Sequence, residues 1–589
     1  MNELMSRYGR QLDRERPLPE HPNPLFKRRD YMSLNGTWGF SITKDPSFPS
    51  EYGRITVPFS PETPLSGVGI SVAKDDYLHY RRFFEVPEEQ LGKRSILYFD
   101  AVDQVCDVYL NGEKIGHHEG GYEPFSFLLP PFQGKENVIQ LVVTDDTSSD
   151  VFPRGKQSTS PGGIWYNPTS GIYQSVYLEF IPENHIKTIK ITPLFDEKAV
   201  KIEADVESLG EAGEAEITFH GKPVDRKPLD KNGCAILDLR FDFRPWTPDT
   251  PNLYDLKISY GEDIVYSYCG MRKFERKEID GKERFCLNGK PLFLSGVLDQ
   301  GYYPDGGLTA PSIQAMADDL ILVKRCGFNC VRKHIKLEPM TWYRLCDEYG
   351  IIVIQDFVNG GSPYSLWYSA IRPHVFKRIS DPRCKKLGRG NPASRKAFVD
   401  AMPAFVNRLY NVPCIAIYTL FNESWGQFDV VQLTEKLRSL DPTRLIDSTS
   451  GWYDKKAGDF YSEHIYFVKS HMKYHKGRIL SLSEFGGYSL PVTGHMYSMG
   501  KPFGYKMFHN EKELADAIAK LYEGEILEHI RKAGLNVAIY TQLSDVEDEI
   551  NGLITYDREA IKVSPTSMKE LNTELYLAFD NQFLEEKKR

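Results

Sequence analysis

Residues 414–426 read CIAIYTLFNESWG and residues 478–488 read RILSLSEFGGY. Each is a short apolar run that stops at a glutamate, Glu423 or Glu484, followed by turn-forming residues. Such runs are the mark of strands buried on both faces in a parallel sheet. Working outward, six more runs share the pattern, at 292–297, 328–332, 351–355, 445–448, 460–466 and 537–540. Helical spacing lies between many of them. Ile313, Met316, Leu320 and Val323 fall on one face of a helix over 312–326 that Gly327 ends, and 340–349 stops in the same way at Gly350. Further helices are expected at 394–410, 430–440, 511–532 and 564–578. Eight strands alternating with helices over roughly 300 residues have the size and order of a (β/α)8 TIM barrel. A doubly wound sheet is the alternative, but no G-x-G-x-x-G follows a first strand, so a dinucleotide site has no support.

Barrel enzymes carry their reactive groups at the C-terminal ends of the strands. The two glutamates end the fourth and seventh of the eight runs, where they can face each other across the mouth. One carboxylic acid that protonates a departing oxygen, opposite a carboxylate that attacks carbon or activates water, is the equipment for cleaving a glycosidic bond. Direct attack with retention needs the pair roughly 5–5.5 Å apart.

The first half of the chain differs. From about residue 30 to 275 short alternating runs are separated by Gly, Pro, Asn and Asp, the pattern of antiparallel β structure. Asn111-Gly112 between two such runs is a tight-turn signal. A break at 181–185 divides this half, giving expected domains over 1–182, 183–276 and 277–589.

The net charge of −8 gives no electrostatic attraction to nucleic acid or anionic membrane. The nine cysteines include no C-x-x-C pair and read as free thiols of a reducing compartment. The polar N-terminus has no apolar leader, and the apolar runs are far shorter than a membrane span, so a cytoplasmic location is expected. Asp145, Asp146 and Asp150 lack partner ligands and read as a solvated loop, so no metal and no cofactor are expected.

These features together resemble glycoside hydrolase family 2, which includes β-galactosidases, β-glucuronidases and β-mannosidases. The resemblance is carried by LNGTW at 34–38, VYLNG at 108–112 with HEGGY at 118–122, PWTPDTPNLYDL at 245–256, GMR at 270–272 and LNGKP at 287–291, all ahead of the two-glutamate barrel. It implies an N-terminal jelly-roll sandwich, an immunoglobulin-like sandwich and a C-terminal barrel. It implies Glu423 as acid/base, Asn422 as a partner of the sugar 2-hydroxyl, and Glu484 as nucleophile. It implies a small carbohydrate or glycoconjugate as substrate and leaves a homo-oligomer open.

The other strand ends supply further substrate-binding candidates. Arg332 ends the second strand at a place where the family carries an arginine, in either a structural ion pair or a supporting role. His334 lies near a frequent family histidine. Asp299 and Gln300 follow the first strand, where relatives carry Arg-His, and are expected to line the pocket. His464 and Tyr466 end the sixth strand, with Tyr466 placed to bond the nucleophile. Tyr540 stands where the family has a tryptophan flooring the sugar site, and Gln542 follows it. Trp165 and Tyr166 sit in a first-domain loop that reaches the barrel mouth or packs at home. Glucuronidases of the family hold the sugar carboxylate with Asn-x-Lys, whereas this chain has Glu549-Ile550-Asn551, which favours a neutral sugar, a β-galactoside first. A β-glucuronide, galacturonide, arabinoside or mannoside remains the alternative. A silent carbohydrate-binding protein is a second class, and a barrel aldolase or isomerase a third, which would need a metal cluster, of which the sequence shows none, or a Schiff-base lysine, for which Lys333 is the candidate.

Overall fold

A computed structural model describes residues 4–376, 379–466, 468–498, 500 and 502–586. The eight expected barrel strands all form, in order: β1 (Leu294–Asp299), β2 (Cys330–Lys333), β3 (Ile352–Asp356), β4 (Ile415–Thr419), β5 (Leu445–Asp447), β6 (Phe460–Ile465), β7 (Ile479–Gly486) and β8 (Val537–Thr541). They make one parallel sheet in the order β5-β4-β3-β2-β1-β8-β7-β6. Its ends, β5 and β6, meet through Asp459 N–H donating to Ile446 O at 2.7 Å and Ser462 Oγ donating to Asp447 Oδ2 at 2.5 Å, which nearly closes the barrel.

Local chemistry sets the helix ends. Ser312 caps Ile313–Arg325 by accepting the Ala315 N–H, and Gly350 ends Met340–Tyr349 in the left-handed conformation that a residue without Cβ adopts freely. The expected helix over 511–532 is interrupted, running as Glu511–Leu521, a wide turn Tyr522–Ile526, and Leu527–Ala533. The segment between β3 and the helix Pro392–Leu409 carries no clear periodicity in the sequence. It winds as Leu366–Ile371, Arg372–Val375 and Asp381–Leu387.

Ahead of the barrel, a jelly-roll-type sandwich packs a four-stranded sheet on a six-stranded one, and a smaller immunoglobulin-like sandwich packs three strands on four. Asn111 and Gly112 both take positive φ, 51° and 86°, in the hairpin joining Val105–Leu110 to Glu113–Glu119. None of the nine cysteines is paired. Asp145 departs from the solvated loop expected of it. It is buried, because Thr147 and Ser170 hydroxyls replace water at 2.9 and 2.7 Å, and burial pushes its carboxyl up to about 6. No described helix is long and apolar enough to cross a membrane.

Asp347 is one of the ties between the small sandwich and the barrel, beside Asn411 and Arg272. Asp347 accepts from Tyr268 Oη and the Cys414 N–H, each at 2.7 Å, while its carbonyl accepts Trp246 Nε1–H at 2.8 Å. Trp246 is fully buried at this seam. Trp246→Ala is expected to cost about 3–5 kcal/mol, from lost burial and the cavity left behind. Urea unfolding followed by tyrosine and tryptophan fluorescence checks this, and should show the small sandwich melting ahead of the barrel.

Candidate active site

Side chains alternate along each strand, so every second residue of β2 to β8 points into the barrel. At the C-terminal rim these inward positions are Arg332, Asp356, Thr419, Asp447, His464, Ser483 and Thr541, with Glu423 and Glu484 above them. Arg332 organises the set. Its guanidinium has five N–H donors, and five acceptors meet it. Nε and one Nη2 hydrogen take both oxygens of Asp356 at 3.0 Å. The other Nη2 hydrogen goes to Asn422 Oδ1 at 2.7 Å. The Nη1 pair serves Glu484 Oε1 at 3.0 Å and Ser483 O at 3.1 Å.

Glu484 is further bonded by Tyr466 Oη, which also meets Thr541 Oγ1 at 3.0 Å. Tyr466 is stacked flat on Tyr505 with ring centroids 3.8 Å apart. Burial alone would raise the Glu484 carboxyl. The charge interactions with His464, Arg332 and His334 and the Tyr466 hydrogen bond outweigh it and hold the group at about 2. Tyr466 itself, buried against that anion, is held well above the usual phenol range and stays protonated.

Glu423 sits in the NESWG loop with φ +54°, a left-handed conformation that glutamate rarely adopts. The loop is pinned from both sides. Glu423 N–H donates to Ser450 O at 2.6 Å, Ser424 Oγ to Ser369 O at 2.6 Å, and Trp425 Nε1 to Ser362 O at 3.0 Å. His464 stands between the two acids, its Nδ1 3.1 Å from Glu423 Oε1 and 3.5 Å from Glu484 Oε2. A carboxylate oxygen of each glutamate and a ring nitrogen of His464 lie within 4.8 Å of one another. That trio is compact enough to hold a metal ion, but Arg332 and Tyr466 already occupy Glu484. A second such group, His495, Asp557 and Glu559, has Glu559 engaged by Arg10.

The remaining expected residues divide. His334 reaches the site, with Nδ1 2.9 Å from Asp356 Oδ2, and burial together with nearby Lys156 lowers its pKa. Trp165 leans from the first domain onto Trp425, centroids 5.2 Å apart, and onto Tyr364. Tyr166 Oη donates to Glu549 Oε2 at 2.5 Å, and Asn551 joins Glu549 Oε1 to Gln542. Gln542 is therefore a fully buried support beneath the rim.

Four expectations are corrected. Asp299 lies in register with Lys333 on the outer face of its strand, and its carboxylate pairs with Lys333 Nζ at 2.5 Å instead of lining the pocket. Lys333 is also 2.7 Å from Glu338, and those acids hold it protonated, which removes it as a Schiff-base lysine. Tyr540 points outward, packed on Phe485 and Tyr522, because Ile539 and Thr541 take the inward positions of β8. Gln300 is buried, and no hydrogen bond among the described residues joins it to the glutamates. Asp356, Ser450, Ser483, Tyr505 and Thr541 were missed. Asp356 ends a strand as plainly as Arg332 does, whereas Tyr505 lies in a loop with no pattern to announce it.

Family models cover three stretches in order: the sugar binding domain of glycosyl hydrolases family 2 over residues 69–182, a second domain of that family over 184–272, and its TIM barrel domain over 278–484. The chain belongs to glycoside hydrolase family 2. Among curated proteins it is 26% identical over 411 residues to a β-galactosidase of Clostridium acetobutylicum, covering 67% of this chain and 43% of that protein. It is 25% identical over 450 residues to one of Thermoanaerobacter pseudethanolicus, covering 71% and 54%. The chain thus spans about half the length of these family 2 relatives. Two solved structures share the fold over nearly their whole length. A β-glucuronidase of an uncultured Clostridium has TM-score 0.72 at 17% identity, covering 94% of this chain and 99% of that one. A β-galacturonidase of Eisenbergiella tayi bound to galacturonate has TM-score 0.68 at 19% identity, covering 94% and 98%.

Arg332→Leu strands the buried Asp356 and Glu484 carboxylates and is expected to destabilise the fold by about 3–5 kcal/mol at pH 7. Because both carboxyls are held low in the folded state, their pairing stabilises above their unfolded values and is lost as pH falls through the folded ones. The gap between variant and wild type in chemical denaturation should therefore narrow in acid.

Proposed function

We propose that the chain is a retaining exo-β-glycosidase that removes terminal sugars by double displacement. The observation that supports this most is the approach of Glu423 and Glu484 within 4.8 Å across the rim, with Glu484 held ionised at about 2. In this reading Glu484 attacks the anomeric carbon while Glu423 gives its proton to the departing oxygen. The carbon–oxygen bond to the aglycone breaks as the glycosyl ester to Glu484 forms. Glu423, now a carboxylate, takes a proton from water, whose oxygen displaces Glu484 and regenerates both groups. His464, near both acids, is suited to keep Glu423 oriented in each state. Asn422 accepts from Arg332 through Oδ1, which leaves its Nδ2 hydrogens to donate to the sugar 2-hydroxyl.

For the sugar, the buried Glu549 carboxylate is the main guide. Burial raises its pKa and the charge of Glu484 adds to that, and a carboxyl so placed suits hydroxyls rather than a second carboxylate. A neutral terminal sugar, a β-galactoside first, is the reading it supports, in keeping with the β-galactosidases among the relatives. One observation favours a β-uronide instead: Lys156, whose charge reaches both Glu549 and His334, is a cation at the mouth. Nitrophenyl galactoside, glucuronide, galacturonide, arabinoside and mannoside separate the two.

Glu484→Gln is expected to lower kcat on the preferred aryl glycoside by at least about 1000-fold, and unchanged hydrolysis would refute the assignment. Glu423→Ala should retain attack on a substrate with a good leaving group but stall at the glycosyl-enzyme, and azide should restore turnover. Lys156→Met should lower kcat/KM by about 100-fold for a uronide substrate and by no more than about threefold for a galactoside.

A further inference from the structure

Beneath Arg332 the barrel interior contains a small cavity whose lining includes Arg332, Ile417, Thr419, Asp447 and Ser483. Its free space, about 10 Å3, is on the scale of one water. Two polar atoms of that lining, Asp447 Oδ1 and Thr419 Oγ1, are buried and have no hydrogen-bond partner among the described residues. Buried polar atoms without partners are rare in native proteins, and two on one water-sized space are satisfied together by one bridging water. All five Arg332 N–H groups are already engaged, so Asp447 does not bond Arg332. It acts on the guanidinium as a nearby charge, alongside the directly bonded Asp356 and Glu484.

We propose that Asp447 is a positioning residue for the glutamate pair, sharing one buried water with Thr419 and counterbalancing Arg332 from below. The inference rests on the glycosidase reading for its consequence but not for its geometry. As an anion, Asp447 draws on the field of Arg332 and leaves Glu484 the stronger nucleophile. When Asp447 takes a proton, that field falls more heavily on Glu484 and attack slows. The groups facing Asp447 set where this happens. Burial raises its pKa most. The hydrogen bond from Ser462 on β6 lowers it, as do the charges of Arg332 on β2 and His464 on β6, while Asp356 on β3 raises it, leaving the carboxyl at about 6. A raised value means the proton is held below about 6 and lost above it. Glu484, held near 2, stays ionised throughout. The acid side of the rate profile is thus assigned to Asp447 and not to the nucleophile.

Two measurements on the full chain test this: the pH profile of kcat on an aryl glycoside whose glycosylation step is limiting, and the carboxylic C=O band in infrared difference spectra of the free protein. The wild type should show, beside the buried carboxyls of Asp145 and Asp545 that titrate in the same range, a further band component near pH 6 and a rate that falls over that range. Asp447→Asn should remove that component and the fall in rate, and lower kcat at pH 7 by about tenfold with KM within about twofold. Thr419→Val, which keeps the acid but removes one partner of the water, should move band and limb together to higher pH. Survival of both features in Asp447→Asn, or no movement in Thr419→Val, would overturn the proposal. The second variant carries the test if the first does not fold. The infrared arm needs no substrate, so a protein that hydrolyses nothing fails the glycosidase reading separately from this one.

Discussion

The ion pairs around Arg332 are the constraint on which the site depends. One guanidinium, buried without solvent contact, is shared among Asp356, Glu484 and Asn422, residues carried by or following three different strands. Such a charge is tolerable in a barrel core only if every donor is met, and here each one is. The same bonds that satisfy Arg332 fix the direction of Glu484, hold it ionised, and turn the Asn422 amide toward the mouth. Orientation of the pair and stability of the barrel rim therefore have one physical source, and weakening either weakens the other.

The second organising feature is that the site is not made by the barrel alone. Tyr166 and Trp165 come from the first sandwich, and reach Glu549 and Trp425 at the rim. The extension after β3, which Trp165 also touches at Tyr364, pins the NESWG loop through Ser369 and Ser362. Glu423 sits in a strained backbone conformation between these supports. Strain of this kind persists where the surroundings over-determine it, and its position at the proposed acid/base gives the multi-domain architecture a function beyond mass. The N-terminal half supplies part of the wall that shapes the mouth.

The barrel was legible because its strands are apolar runs that end abruptly in polar residues, and such punctuation survives without any alignment. The glutamate pair was legible for the same reason, since strand ends mark where chemistry is placed. What was lost follows from what a linear reading lacks. Facing is a matter of alternation counted from the right residue. Asp299 and Tyr540 lie one position off the inward row, so they point to Lys333 and to Phe485. Asp145 looked like a surface acid, and only the fold shows Ser170 and Thr147 replacing its water. Tyr505, stacked on Tyr466, lies in a stretch with no periodicity, and nothing in the sequence points to it.

Double displacement requires two carboxylates near enough for one to form a bond to carbon while the other moves a proton. The most direct measurement is the configuration of the sugar as it is first released, followed by proton NMR before the anomers equilibrate. Double displacement inverts the anomeric centre twice, so the β-anomer should appear first from a β-glycoside. First release of the α-anomer would mean a single displacement by water, and would contradict attack by Glu484.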